Sequence, residues 1–171
     1  MRRQQHTGSW FNGCKDLNQL KAEYKRLVMQ HHPDLGGDVR TMQDINVAYE
    51  WFFNLLKNVQ NVQAAQPDSH VQYTTETPEK FRAIIEVLIH LEGLEVELCG
   101  SWLWIGGNTK ANREALKAAG CSWSPKKGMW YWHHKEDGAR WSRGRYTMAE
   151  IRSTYGSERF RQAKADELAV R

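Results

Sequence analysis

The chain has 171 residues, 40% of them hydrophobic and 26% charged, with a net charge of +4. That is enough apolar material for one or two small domains with cores of their own. No run of 18 or more apolar residues occurs, which argues against a membrane-spanning helix. The opening MRRQQHTGSW is basic with no apolar stretch behind it, unlike a secretory signal. Cys14, Cys99 and Cys121 are scattered and odd in number; they form neither a zinc pattern nor a disulfide framework and read as buried or half-buried thiols in a reducing cytoplasm. The charge is uneven: residues 1–100 carry 10 Lys/Arg against 13 Asp/Glu, and residues 101–147 carry 9 against 3. A polyanion is the natural partner of the later segment.

Residues 1–9 are polar and read as loose, and Trp10-Phe11 offers aromatic area to dock in the groove of a helical hairpin downstream. Leu17, Leu20, Tyr24, Leu27 and Val28 recur at three- and four-residue steps, which predicts a helix over about 17–31. Lys21, Lys25 and Arg26 fall outside that apolar face. His32 precedes Pro33 and is pushed out of helical geometry, so the helix ends there. Gly36-Gly37 supplies a turn, and Asp38 is placed to cap a second helix whose apolar face is Met42, Ile45, Ala48, Tyr49, Phe52 and Leu56. The product is an antiparallel helical hairpin, 1–57, with His32-Pro33-Asp34 exposed at its tip.

The run AEYKRLVMQHHPD, followed by GGD and by I-N-x-A-Y-E, resembles a J-domain, the module through which Hsp40-class co-chaperones activate Hsp70. The HPDLGGD form is most similar to J-domains of viral tumour antigens and of small proteins from phages and mobile elements. The resemblance covers about the first third of the chain. It implies that His32, Pro33 and Asp34 engage the ATPase of a DnaK-type Hsp70 and that Lys21, Lys25 and Arg26 dock on its acidic surface. The ordinary alternative for those three cations is a solvated helix face. The family's first helix usually starts with a tyrosine and a Leu-Gly pair, which only Phe11 and Gly13 echo here. Adjacent His31 and His32 point in different directions on a helix and make a poor metal pair.

Residues 58–76 lose their period and are rich in Gln, Asn, Thr and Ser, which reads as a flexible linker with ends roughly 25 Å apart. Neither a Gly/Phe-rich stretch nor a four-cysteine zinc module occurs after it. Thr77-Pro78 opens a helix carrying Phe81, Ile84, Ile85, Leu88 and Ile89, ended by Gly93. Leu94, Val96 and Leu98 alternate with Glu95, Glu97 and Cys99 as a half-buried strand, and Gly100-Ser101 suits a type II′ turn into a second strand, 102–105. Asn108 or Thr109 is expected to cap a helix stopped by Gly120. Further strands are expected near 121–123 and 129–133 around a Pro125–Gly128 turn, and Thr147-x-x-Glu150 is a capping box. The expected fold is therefore α+β: a helical-hairpin J-domain, a linker, an α-β-β-α-β-β-α domain over 77–156, and a charged tail over 157–171, frayed or disordered.

Six of the eight tryptophans lie between Trp102 and Trp141, among many Lys and Arg. Alternation puts Trp102 and Trp104 on one sheet face, and likewise Trp130 and Trp132 on one face. One set can fill the core of so small a domain; both cannot. The bland reading is core tryptophans and solvated lysines. The functional one is a DNA or RNA surface in which Trp102, Trp104, Trp130 and Trp132 stack on bases while Lys110, Lys126, Lys127, Arg140, Arg143 and Arg145 meet phosphates. The order G-x-W-x-W…N-T-K…K-K-G-M-W-Y is similar to a small module of phage and plasmid proteins, and distantly to HARP-type modules of fork-remodelling enzymes. No P-loop, H-E-x-x-H or paired-carboxylate motif occurs, so no enzymatic activity, cofactor or metal is expected, and His133-His134 lacks the acidic cluster a nuclease needs. The reading is a non-enzymatic Hsp70 adaptor that aims the chaperone at a nucleic-acid-bound client. The alternative is a phage or mobile-element protein that grips and inhibits or remodels a host defence or replication protein.

Overall fold

Asp16 accepts a hydrogen bond from the Gln19 amide at 2.8 Å and so caps the first long helix, α1, Leu17–His31. In this computed structural model residues 9–137 and 146–161 are described. They contain α1, α2 (Val39–Ala64), α3 (Pro78–Ile89), β1 (Leu94–Cys99), β2 (Trp102–Gly107), α4 (Arg113–Ala118), β3 (Ser122–Ser124), β4 (Met129–Trp132), α5 (Met148–Tyr155) and β5 (Glu158–Arg161). The architecture is thus α+β. The chain divides into two units, Met1–Phe81 and Arg82–Arg171. No helix among the described residues is long and apolar enough to cross a membrane.

In the first unit α1 and α2 pack on each other largely through the residues that their period selected. Leu20, Leu27, Ile45, Ala48 and Tyr49 are buried. In the later part of α2 Phe53 is the buried residue, and Phe52 and Leu56, expected on that face, are half-buried. Tyr24 stacks on Tyr49 with centroids 4.0 Å apart, and its hydroxyl donates to Asn46 Oδ1 at 2.9 Å. Asp38 caps α2 by accepting from the Thr41 amide and hydroxyl, bonds that hold its carboxyl below the ordinary value. The expected short first helix is a single 3-10 turn, Ser9–Phe11, that buries the Phe11 ring against Tyr49 and Phe52. Residues 1–8 lie outside the described residues.

Residues 58–76 are not a flexible coil. Helix α2 runs on to Ala64, and residues 72–76 return as a strap along it. The Asn61 amide donates to the Thr74 carbonyl and accepts from the Thr74 N–H, at 2.9 and 2.8 Å. Gln60 donates to the Gln72 carbonyl at 2.7 Å and Lys57 to the Glu76 carbonyl at 2.8 Å. The Asn- and Gln-rich composition that reads as a linker is what supplies these bonds to a strap that has no sheet partner.

The second unit is built on a five-stranded sheet of order β3-β4-β2-β1-β5, with every pairing antiparallel. Gly100 sits at φ +58° in the two-residue β1–β2 turn while Ser101 keeps negative φ, the geometry of a type II′ turn. Register puts Val96, Leu98, Leu103, Ile105 and Trp130 on one face, all buried. The strand β1 is more buried than alternation implies: Glu97 and Cys99, expected to face water, are covered, because α5 lies against β1 on the opposite face. The helix α4 starts at Arg113 rather than at Asn108 or Thr109, since the Asn108 amide is taken by the Gly93 carbonyl in a tight approach of the two chain segments. Thr147 and Glu150 form the expected capping box of α5. The tail expected to fray begins instead with β5, which pairs with β1; residues 162–171 lie outside the described residues.

Candidate functional site

The loop between α1 and α2 is short and fixed by its own chemistry. His32 leaves helical geometry at ψ 132°, Pro33–Leu35 forms a 3-10 turn, and Gly36 closes it at φ +91°. Gly37 donates to the His32 carbonyl at 2.9 Å, and a Cβ built on it would overlap the carbonyl group of His31. Only glycine fits there. His32 Nδ1 accepts from the Asp34 amide at 3.2 Å, which orients the ring, and lies 3.9 Å from Asp34 Oδ2.

This tip is not uniformly exposed, as the sequence suggested. The Asp34 side chain is 60% open to water and Pro33 half-buried, but the His32 ring is buried. A histidine turned back to hold the backbone of its own loop is satisfied locally, so it gains nothing by pointing outward.

The three cations assigned to a basic docking face separate. Lys21 and Lys25 are 1% and 3% exposed, and only Arg26 stands out, held by Glu23 (Nε to Oε2, 2.9 Å) and Gln30 (3.0 Å). Lys21 forms an ion pair with Glu76 of the strap, and its ammonium lies 5.2 Å from the centroid of the Phe81 ring. Burial pushes the Lys25 ammonium down to about 7. Lys21, which reads as solvated, is covered because Glu76 and Phe81 come back against it, and long lysine stems are apolar enough to be enclosed.

In the second unit the four tryptophans assigned to nucleic acid divide between the two sheet faces. Trp130 belongs to the buried face and pairs with Ile105, and Trp132, opposite Leu103, shares that face. Trp102 and Trp104 stand on the other, with two residues that the sequence did not assign to it, Tyr131 and His133. Their rings form one cluster: Trp102 to His133 4.1 Å at 21°, Trp102 to Tyr131 5.4 Å at 30°, Trp102 to Trp104 5.8 Å at 18°. Alternation in M-W-Y-W-H was the signal available for both, since Tyr131 and His133 lie two apart. Burial lowers the His133 pKa, so the ring is neutral around pH 7.

Lys127 lies 5.4 Å from the centroid of Trp104, a cation–π placement at one edge of the cluster. The indole N–H of Trp104 is buried with no hydrogen-bond partner among the described residues. Lys126 and Lys110 are exposed, and register sets the β3–β4 turn and the end of β2 at the same end of the sheet. Arg140, Arg143 and Arg145 lie outside the described residues. His134 is buried with Nε2 3.7 Å from Glu136. None of the three cysteines forms a disulfide, and burial pushes the thiols of Cys99 and Cys121 up to about 11, out of reach of nucleophilic chemistry at neutral pH.

No protein-family model, no curated protein and no solved structure matches this chain.

Proposed function

We propose that the chain is a J-domain-type co-chaperone adaptor, whose His32-Pro33-Asp34 turn stimulates a DnaK-type Hsp70 and whose second unit brings that Hsp70 to a DNA- or RNA-associated client. The observation that carries the reading is a fixed turn between two packed helices, with Gly37 admitting no side chain and the Asp34 carboxylate held out into water. Of the three cations Lys21, Lys25 and Arg26 only Arg26 is exposed to an acidic surface, so recognition rests on the turn more than on that basic face. ATP hydrolysis belongs to Hsp70, and this chain supplies contacts that favour one of its states over another.

The client side rests on Trp102, Tyr131 and His133, half-buried rings that lie beside the buried Trp104 (3% exposed) and Lys127 and are suited to stacking on unpaired bases. The alternative is a protein client, such as a host defence or replication protein that the chain inhibits or remodels, for which a half-buried aromatic cluster is equally suited. Filter binding of single-stranded DNA and RNA over a salt series separates the two. Nucleic-acid binding falls steeply as salt rises, and binding lost in Trp102→Ala supports the cluster. For the first half, immobilised chain is expected to retain purified Hsp70 with ATP and not with ADP, and Asp34→Asn to abolish retention. Equal retention by that variant removes the proposal.

A further inference from the structure

The last buried residue of α2 is Phe53, yet the helix continues about three turns further, to Ala64. Along it stand Val47, Trp51, Leu55, Val59 and Val62, each 45–65% exposed. At 3.6 residues per turn the five fall within roughly a third of the helix circumference, so they form one stripe rather than scattered apolar residues. The strap takes a different side, that of Lys57, Gln60 and Asn61, and leaves the stripe open.

The chemistry of the stripe limits what can cover it. From Trp51 to Ala64 the only charged residue is Lys57, whose ammonium is bonded to the Glu76 carbonyl on that other side. The rim is neutral amide: Asn54, Asn58 and Gln63. A charged partner surface would lose its hydration here and gain no counter-charge. The stripe is, however, its own complement. It is nearly symmetric about Leu55, with Trp51 and Val59 four residues to either side and Val47 and Val62 eight and seven away.

We propose that α2 packs antiparallel on α2 of a second copy, across a two-fold axis at Leu55. Trp51 of each copy then meets Val59 of the other, and Val47 meets the end near Val62. Glu50 falls opposite Gln60 and Asp44 opposite Gln66, so no like charges meet. A parallel pair would set Asp44 and Glu50 against their own copies, which is disfavoured. The stripe spans roughly 23 Å of helix. Two such strips bury close to the lower bound for a specific interface, about 1,000 Å², so the dimer is reversible and not obligate.

Sedimentation velocity of the full chain between roughly 1 µM and 1 mM tests this. The mass is expected to rise from 19.9 kDa to twice that value. Leu55→Glu sets two carboxylates together at the axis and is expected to weaken association at least about tenfold, with an unchanged thermal melt. Val39→Glu, exposed on the same helix but off the stripe, should leave association unaltered. In a Cys14→Ser background, Leu55→Cys should oxidise to a covalent dimer. Val62→Cys should not, because its two copies would lie about 21 Å apart. A monomer at every concentration, undiminished association of Leu55→Glu, or an efficient cross-link through Val62→Cys overturns the proposal.

Discussion

Each unit ties a late segment to an early one through a buried glutamate, and the two ties are built differently. In the first, Glu76 of the strap meets the Lys21 ammonium on α1; both side chains are nearly dry, and the second carboxylate oxygen has no hydrogen-bond partner among the described residues. In the second, Glu97 on β1 receives both forks of Arg152 at 2.6 and 2.8 Å and the Ser157 hydroxyl, with Arg159 at 3.5 Å. The Arg152 side chain keeps about a third of its surface in water. A point-charge amine in a dry pocket gives a pair that adds little net stability yet is severe to break; a guanidinium fork saturates its carboxylate and stays partly hydrated. The first tie holds the strap beside the hairpin, and the second holds α5 on the sheet.

The largest effect is expected from Lys21→Met, which leaves Glu76 buried without its cation and should cost the first unit about 3–5 kcal/mol in urea unfolding. Lys21→Met combined with Glu76→Leu should recover most of that loss. A double variant no more stable than the single would mean that the two ties do not differ as described. Next is Glu97→Gln, expected to cost about 2 kcal/mol, less because the arginine is partly solvated and can still donate to the amide.

Acid sharpens the same contrast. Arg152, with smaller help from Ser157 and Arg159, holds the Glu97 carboxyl at about 2 against an ordinary 4.5. Its contribution is therefore complete above pH 4.5 and lost as pH falls through about 2, and Glu97→Gln should flatten the acid limb of the unfolding curve. Lys25 acts in the opposite direction. Burial lowers its pKa from 10.5 to about 7, so between those values the unfolded chain holds a proton that the folded chain has released. Stability of the first unit should rise with pH across that window and cease to do so in Lys25→Met. The smallest effect belongs to Arg26→Ala, an exposed pair expected to change stability by less than about 0.5 kcal/mol. A large loss there would mean that α1 has a structural role on its outer side.

The hairpin was legible because its determinants are local. Asp16, Asp38, the Pro33 turn and the three- and four-residue spacing of Leu20, Tyr24 and Leu27 all act within a few residues, and Tyr24 and Tyr49 met as their faces required. The burial of Lys21 was not legible, since its partner lies 55 residues away in a segment without period. The strap was illegible for the same reason: side chains of α2, not a ladder, satisfy its backbone. On the sheet, alternation separated the tryptophans correctly into pairs, but one of each pair, Trp104 and Trp130, is buried, since burial depends on what covers each face and alternation does not carry that. Strand β5 was hidden because its pairing with β1 is set by distant register, not by its own composition.

The central claim is that a glycine-fixed His32-Pro33-Asp34 turn acts on another protein's ATPase. Single-turnover ATP hydrolysis by a DnaK-type Hsp70, with and without this chain, tests it most directly. The expected result is a stimulated rate that Asp34→Asn abolishes while the helical melt of the variant stays at the wild-type temperature. Stimulation of equal size by the folded Asp34→Asn variant, or none by the wild type at any concentration, would contradict the account.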